Sequence, residues 1–205
     1  MNISRRSQDI QPFHVMELLR RARELEAAGR DIIHMEVGEP DFPTPRPMIE
    51  AATRFLEQGQ VPYTSALGLP ALREAISRFY HDCFGADVPP ERIAITPGAS
   101  GALMLALAAT TDPGDVWLMP DPSYPCNRQL VRTFEGTATM LPVDATTRFQ
   151  PTSAQVEAAW SEQTRGLMVA TPSNPTGTLL TPDELDALGG TVRARGGVMI
   201  VDEIY

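Results

Sequence analysis

The stretch LMVATPSNPTG at residues 167–177 decides the fold class of this chain. Its four leading apolar residues predict a short buried strand, and the Pro- and Gly-rich residues behind them predict a turn. Similar short apolar segments stand at residues 93–95, 116–119, 138–141 and 198–201. Short apolar strands that alternate with helices predict an α/β fold with a mostly parallel sheet, covered on both faces.

Helical periodicity fills the intervals between these segments. One helix is predicted at residues 15–28, where a single face carries Val15, Leu18, Leu19, Ala22 and Leu25. Residues 32–35 predict a short extended run. Further helices are predicted at residues 47–58, 70–84, 102–109, 127–134 and 183–195.

The composition narrows the function classes. The chain has 205 residues and a formal net charge of −9, which argues against nucleic acid because its phosphates would be repelled. No window of the sequence reaches the apolar length that spans a bilayer. Cys83 and Cys126 show no CxxC spacing, so we expect free thiols and a cytoplasmic location. The three histidines show no ligand-like spacing, and no metal site is expected.

Polar residues follow four of the predicted strands. The segments concerned are TPGASG at 96–101, PDPSYP at 120–125, TPSNPTG at 171–177 and DEIY at 202–205. In open α/β sheets, ligands bind beyond the carboxyl ends of the strands. We therefore expect these segments to gather at one edge, where they offer a helix start for phosphate, an aromatic ring, an amide, a carboxylate and a phenol.

Four ordered motifs carry a family resemblance: GEPDF at 38–42, TPGAS at 96–100, SNPTG at 173–177 and DEIY at 202–205. They resemble the N-terminal portion of class I/II, fold-type I, pyridoxal-phosphate-dependent aminotransferases, from about Phe13 onward. The resemblance implies transfer of an amino group between an amino acid and a 2-oxo acid. It also implies the three-layer large domain of that fold, incomplete, at residues 46–205. Residues 1–45 would be the N-terminal arm and part of the small domain.

The resemblance implies that pyridoxal 5'-phosphate is held through its phosphate by Gly98, Ala99 and Ser100, because backbone N–H groups at a helix start favour anions. The alternative is a plain strand–helix turn in which Ser100 is a cap. Tyr63 matches a tyrosine that reaches the phosphate in the neighbouring subunit, which implies a homodimer.

The resemblance also assigns candidate catalytic residues. Asp202 would face the pyridine nitrogen and keep it protonated, since opposite charges stabilise each other; the alternative is a helix N-cap. Asn174 and Tyr205 would contact the phenolic oxygen of the cofactor, and the alternative for Asn174 is an Asx turn. Tyr124 would stack on the cofactor ring, or else pack beneath its Pro-rich turn. Gly38 would let the backbone approach the substrate carboxylate, or else be an ordinary turn glycine.

A lysine is absent from the chain, because all 17 basic residues are arginines. The family's Schiff-base lysine follows some tens of residues after the DEIY motif. We therefore expect the chain to be truncated before that lysine, inactive alone, and poorly stable because the strand at 198–201 leaves an unpaired edge. Two alternatives stay open: a non-catalytic module or remnant with this fold, and a lyase or decarboxylase on the same scaffold.

Overall fold

The structure is a computed structural model that describes residues 3–38, 42–59 and 62–205. The described residues form two compact units. The sheet unit comprises the described part of Met1–Pro12 together with Pro97–Tyr205, and the helical unit comprises the described part of Phe13–Thr96. The domain boundary predicted after residue 45 concerns the complete family fold and stays a prediction.

Four strands form the sheet: β1 (Val116–Asp121), β2 (Thr137–Pro142), β3 (Thr164–Ala170) and β4 (Val198–Asp202). Their order is β2-β1-β3-β4, and each neighbouring pair is parallel. The predicted α/β fold with a parallel sheet is therefore confirmed. Within the described sheet β4 is an edge strand, as expected from the sequence, and its Val201 is 37% exposed.

The described helices are α1 (Arg5–Asp9), α2 (His14–Ala27), α3 (Arg46–Glu57), α4 (Pro70–Phe84), α5 (Gly98–Thr110), α6 (Cys126–Thr133), α7 (Ser153–Ala159) and α8 (Pro182–Ala194). Two short 3-10 helices lie at Pro90–Arg92 and Ala145–Thr147. None of these helices, in the part of the chain that is described, is long and apolar enough to cross a membrane.

Apolar side chains bury both faces of the sheet. On one face, the strand residues Leu118, Leu167 and Val169 join α7 and α8 in a single core. On the other face, Trp117 and Met168 form a second core with α5 and α6. Neighbouring strand residues point to opposite faces, and each fully buried apolar side chain contributes about 1.5–3 kcal/mol. The two cores explain why the central strands read as continuous apolar runs.

Capping boxes fix the starts of α7 and α8. Thr152 and Gln155 satisfy each other's backbone N–H groups at α7, and Thr181 and Glu184 do so at α8. The hydrogen bond from the Thr181 backbone N–H, followed by the interaction with Arg148, lowers the pKa of Glu184 to about 2. Such caps each contribute about 1 kcal/mol. They orient the two helices that cover one face of the sheet.

Two expected extended segments are not strands. Residues 93–95 are extended at Ile93, but the backbone there makes one described hydrogen bond to another segment, from Ile95 N–H to the Leu67 carbonyl at 3.1 Å. Residues 32–35 also lie outside any sheet, and Ile33 and Met35 are 85% and 88% exposed. An apolar run becomes a strand only beside a partner strand, and neither segment has one among the described residues.

The predicted helices are all present, and α4 has its predicted bounds. α5 begins earlier than predicted, at Gly98, and the short helices α1 and α7 were missed. On α2, the predicted apolar residues are half-buried except Leu18, which is 60% exposed. In α7, Val156 is the one buried residue among those described, which is too few for a periodic signal.

Candidate functional site

The carboxyl ends of β1, β3 and β4 lie at one edge of the sheet, because these strands run parallel. Ala170 ends β3 and is the register partner of Asp202, which ends β4. The Thr171 N–H donates to the Asp202 carbonyl oxygen at 3.0 Å. This hydrogen bond holds the turn after β3 beside the end of β4, so two of the predicted polar segments meet here.

Asn174 and Tyr205 come together at this edge. Asn174 Nδ2 donates to the Tyr205 hydroxyl oxygen at 3.1 Å. Asn174 is half-buried, whereas Tyr205 is 69% exposed. The two side chains were predicted to contact the same oxygen of a ligand. Because they contact each other, both lie close enough to reach one such atom.

Asp202 presents a carboxylate at the end of β4 and is half-buried. Its Oδ1 accepts a hydrogen bond from the Ile204 N–H at 3.2 Å. This local bond is of the kind that an N-cap makes, and it uses one of the two carboxylate oxygens. Oδ2 accepts no hydrogen bond from the residues that the structure describes. One oxygen is thus available to a cationic partner at the sheet edge.

Tyr124 follows β1 and is half-buried. A side-chain hydrogen bond with Cys126, followed by burial and by the nearby Cys126, Tyr205 and Asp202, raises the pKa of Tyr124 to about 12. The phenol is therefore neutral at physiological pH. Tyr205 and Asp202 both act on this pKa, so both residues lie near Tyr124.

The N-terminus of α5 lies at this same edge of the sheet, because the C-terminus of α5 is held at the opposite edge, where the strands begin. Arg165, near the start of β3, donates from Nε to the carbonyl oxygen of Thr110, the last residue of α5, at 2.6 Å. The 13 residues of α5 span about 20 Å at about 1.5 Å per residue, which matches the length of a strand. α5 also contacts β4. Its N-terminus therefore lies toward the carboxyl ends of the strands.

The first turn of α5 suits an anion. Its N-cap is Pro97, which makes no side-chain cap, and Gly98 has a φ of +77°. Ser100 is the third residue of the helix and is exposed, so the alternative that Ser100 caps the helix is wrong. A β-carbon at Gly98 would meet no described atom within 4 Å, so there is open space in front of this turn. The first-turn N–H groups and the helix dipole favour negative charge there.

Comparison with known proteins identifies the family. The family model "Aminotransferase class I and II" matches residues 30–205. The chain belongs to the class I and II aminotransferases. It is 38% identical over 196 residues to valine–pyruvate aminotransferase of Mycobacterium tuberculosis, covering 96% of this chain and 50% of that protein. It is 34% identical over 203 residues to an aspartate aminotransferase of Thermotoga maritima, covering 99% and 54%.

Solved aminotransferase structures share the fold. A crystal structure of an aminotransferase from Mycobacterium tuberculosis matches with a TM-score of 0.95 at 36% identity, covering 100% of this chain and 52% of that one. Thermus thermophilus aspartate aminotransferase with maleate also gives a TM-score of 0.95, at 33% identity, covering 100% and 54%. The chain thus spans about half the length of the relatives that it matches.

The aminotransferase family uses pyridoxal phosphate, and the residues at the sheet edge fit this cofactor. The exposed first turn of α5 offers N–H groups and the Ser100 hydroxyl to a phosphate. The Asp202 carboxylate suits a protonated ring nitrogen. The Asn174 amide and the Tyr205 phenol, 3.1 Å apart, suit the phenolic oxygen. The donor set therefore matches the three polar ends of the cofactor.

Two of the predicted site residues, Gly38 and Tyr63, lie in the helical unit. Gly38 is exposed, and a β-carbon added there would meet no described atom within 4 Å. Tyr63 is fully exposed. Residues 39–41 of the GEPDF motif lie outside the described residues. The roles expected for Gly38 and Tyr63 stay predictions.

Cys126 and Thr171 are site residues that sequence reasoning missed. Cys126 begins α6, hydrogen-bonds with Tyr124 and raises its pKa. Thr171 is buried, and its Oγ1 accepts from the Leu180 N–H at 2.9 Å, so it fixes the path of the turn after β3. The short spacing from Tyr124 could have indicated Cys126. The contact of Thr171 depends on a residue beyond the turn, which no local pattern reveals.

Proposed function

We propose that the protein is a pyridoxal-phosphate-dependent aminotransferase, which moves an amino group between an amino acid and a 2-oxo acid, and that this chain supplies most of its cofactor site. One observation carries the proposal. Asp202, the Asn174–Tyr205 pair and Tyr124 meet at one sheet edge, toward which the start of α5 also points. These are the groups that the phosphate, the ring nitrogen and the phenolic oxygen of the cofactor need.

The residues divide the work of binding. Gly98, Ala99 and Ser100 hold the phosphate through the first turn of α5, and Tyr124 stacks on the ring. Bound pyridoxal phosphate withdraws electrons from the α-carbon of an amino acid. Asp202 strengthens this property because its carboxylate holds a proton on the ring nitrogen.

Further contacts orient the cofactor and the substrate. Asn174 and Tyr205, already joined by a hydrogen bond, fix the phenolic oxygen. Asn174 and Tyr124 also face the substrate. For Gly38 the proposal keeps the role that the resemblance implies, in which its backbone approaches the substrate carboxylate. Tyr63 reaches the phosphate of a second copy, so the complete protein is a homodimer. The proposed location is the cytoplasm, because Cys83 and Cys126 are free thiols.

The proton transfer at the α-carbon needs a base that these residues do not include. All 17 Lys and Arg positions are arginine, so a lysine for covalent attachment has to come from outside these 205 residues. A guanidinium cannot take this role, because it does not lose its proton in proteins. The 205-residue chain alone therefore cannot hold the cofactor covalently, and we expect it not to transaminate.

The proposal names a reaction class and no single substrate. The relatives include a valine–pyruvate aminotransferase and an aspartate aminotransferase, which are named for different amino acids. The residues of this chain that bind the cofactor do not distinguish between these substrates. The amino acid is therefore to be found by measurement.

The test is an amino-transfer assay on the complete protein with a panel of amino acids and 2-oxo acids. Asp202→Asn removes the charge opposite the ring nitrogen, and we expect kcat to fall by about 100-fold or more. Asp183→Asn is the matched control, because Asp183 is an exposed residue of the first turn of α8. Full activity in Asp202→Asn, or release of CO2 or a thiol in place of amino transfer, would contradict the proposal.

A further inference from the structure

Gln150 is a buried amide that holds the turn between β3 and α8. It is 2% exposed. Its Nε2 donates to the carbonyl oxygens of Ala170 and Thr178, at 3.1 Å in each case. Ala170 is the last residue of β3, and Thr178 lies beyond the turn. One side chain thus joins the two ends of the segment 171–177.

Asn174 lies in the middle of the segment that Gln150 closes. Within it, the Ser173 N–H donates to the Thr178 carbonyl oxygen at 2.9 Å, and the Gly177 N–H donates to the Ser173 carbonyl oxygen at 2.7 Å. The Thr178 carbonyl oxygen therefore receives two hydrogen bonds, one from the turn and one from Gln150. Any loss of the second bond loosens the turn that presents Asn174.

The backbone before Gln150 is held in an unusual conformation. Arg148 and Phe149 have φ values of 54° and 56°, in the left-handed region that residues other than glycine seldom adopt. The Phe149 N–H donates to the Asp144 carbonyl oxygen at 2.7 Å, and Arg148 forms an ion pair with Glu184. Such strain persists only where the surrounding structure imposes it. The two strained residues directly precede Gln150, whose side chain is buried.

The Gln150 amide is only partly satisfied by hydrogen bonds in the interior. Its Oε1 is buried, and no hydrogen-bond partner for it exists among the described residues. An unsatisfied buried acceptor destabilises a fold, so an apolar side chain of this size would pack with less penalty. What the amide adds is the pair of donated hydrogen bonds to the turn.

We propose that Gln150 is a positioning residue of the cofactor site, which sets the place of the Asn174 amide through its hydrogen bonds to Ala170 and Thr178. This inference rests on the proposed function, in which Asn174 donates to the phenolic oxygen of the cofactor. A donor at that oxygen stabilises its anionic form. Displacement of Asn174 therefore raises the pH at which the visible absorbance of the bound cofactor changes.

The experiment uses the complete holoprotein and the variants Gln150→Met, Asn174→Ala and the double variant. Gln150→Met keeps the length of the side chain and removes both donors. We expect the hydrogen-exchange rates of the Ser173 and Gly177 amides to rise about tenfold, because two buried carbonyl oxygens lose a partner. The absorbance midpoint shifts upward in both single variants, and the double variant shifts no further than Asn174→Ala.

Two further variants sharpen the result. Gln163→Met makes the same change at an exposed glutamine and leaves both readouts unchanged. Gln150→Asn keeps an amide, but its side chain is too short to reach both carbonyl oxygens. We expect it to shift the absorbance midpoint upward as Gln150→Met does, so it can replace Gln150→Met if that variant does not fold.

The outcomes separate this inference from the proposed function. If Asn174→Ala leaves the absorbance midpoint where it was, the cofactor role of Asn174 is wrong, and the proposed function fails with it. If Asn174→Ala moves the midpoint but neither Gln150 variant does, the inference is overturned and the proposed function stands. Additive shifts in the double variant also overturn it, because Gln150 would then act independently of Asn174.

Discussion

A single methyl group added at Gly166 would disrupt the sheet that carries the site. Gly166 lies in β3, between β1 and β4, as the register partner of Trp117 on one side and of Val198 on the other. A β-carbon built at Gly166 would overlap the Val198 carbonyl oxygen and lie 2.9 Å from Trp117 Cζ3 and 3.0 Å from the Val198 carbonyl carbon. Gly166→Ala therefore forces β4, and Asp202 at its end, away from β3.

The size of the effect follows from what has to move. Two of the three contacts are with backbone atoms of Val198, which cannot turn to another rotamer. Trp117 is fully buried, so its ring has no free space to enter. Overpacking of this kind destabilises a protein by about 1–3 kcal/mol, and the double obstruction puts Gly166→Ala at about 3 kcal/mol.

Urea unfolding of the complete protein measures this change, with the fluorescence of the buried Trp117 as the probe. Gly190→Ala is the matched control, because Gly190 is exposed in α8 and a β-carbon there meets no described atom within 4 Å. We expect this control to stabilise the protein by about 0.5–1 kcal/mol. A Gly166→Ala variant as stable as the wild type, with unchanged cofactor affinity, would refute the account of β3–β4 packing.

Three further predictions concern single contacts. Cys126→Ala removes the hydrogen bond that contributes most to the raised pKa of Tyr124, so the pKa falls from about 12, as followed by ultraviolet absorbance during a pH titration. The pKa of Glu184 is lowered from 4.5 to about 2. Its contribution to stability is therefore present above pH 4.5 and lost as the pH falls toward 2, so Glu184→Gln flattens acid unfolding in that window. Thr171→Val deprives the buried Leu180 N–H of its acceptor and lowers the free energy of unfolding by about 1–3 kcal/mol in urea.

Each of these predictions has a control in the same chain. Cys83→Ala changes an exposed cysteine and leaves the titration of Tyr124 in place. Glu162→Gln changes an exposed carboxylate outside the cap of α8 and is the matched control for Glu184→Gln. Thr137→Val replaces an exposed threonine of β2 and leaves stability almost unchanged. If a control variant shows the same change as the variant with which it is paired, the proposed contact does not cause that change.

The sequence predicted the sheet because its strands are buried on both faces. Segments such as 167–170 are apolar at every position, and this pattern needs no knowledge of neighbours. The same reasoning was wrong at 93–95, where Ile93 is extended but no strand lies beside the segment among the described residues. Missing α7 had a different cause. Its capping box, Thr152 with Gln155, is readable from the sequence, but the helix behind it is short.

The site was predictable where strand ends determine it. Asp202 follows four apolar residues directly, so its place at the carboxyl end of β4 could be read from the sequence, and the register with Ala170 confirms that place. Gln150 could not be found in this way. Its two acceptors lie 20 and 28 residues further along the chain, and only the folded structure brings them together.

The most direct test of the central claim is a crystal structure of the complete protein with pyridoxal phosphate. The account predicts the phosphate against the first turn of α5, at Gly98–Ser100, and the ring nitrogen within hydrogen-bond distance of the Asp202 carboxylate. It also predicts that Asn174 and Tyr205 lie at the phenolic oxygen. A cofactor bound elsewhere, or bound here with its ring nitrogen turned away from Asp202, would contradict it.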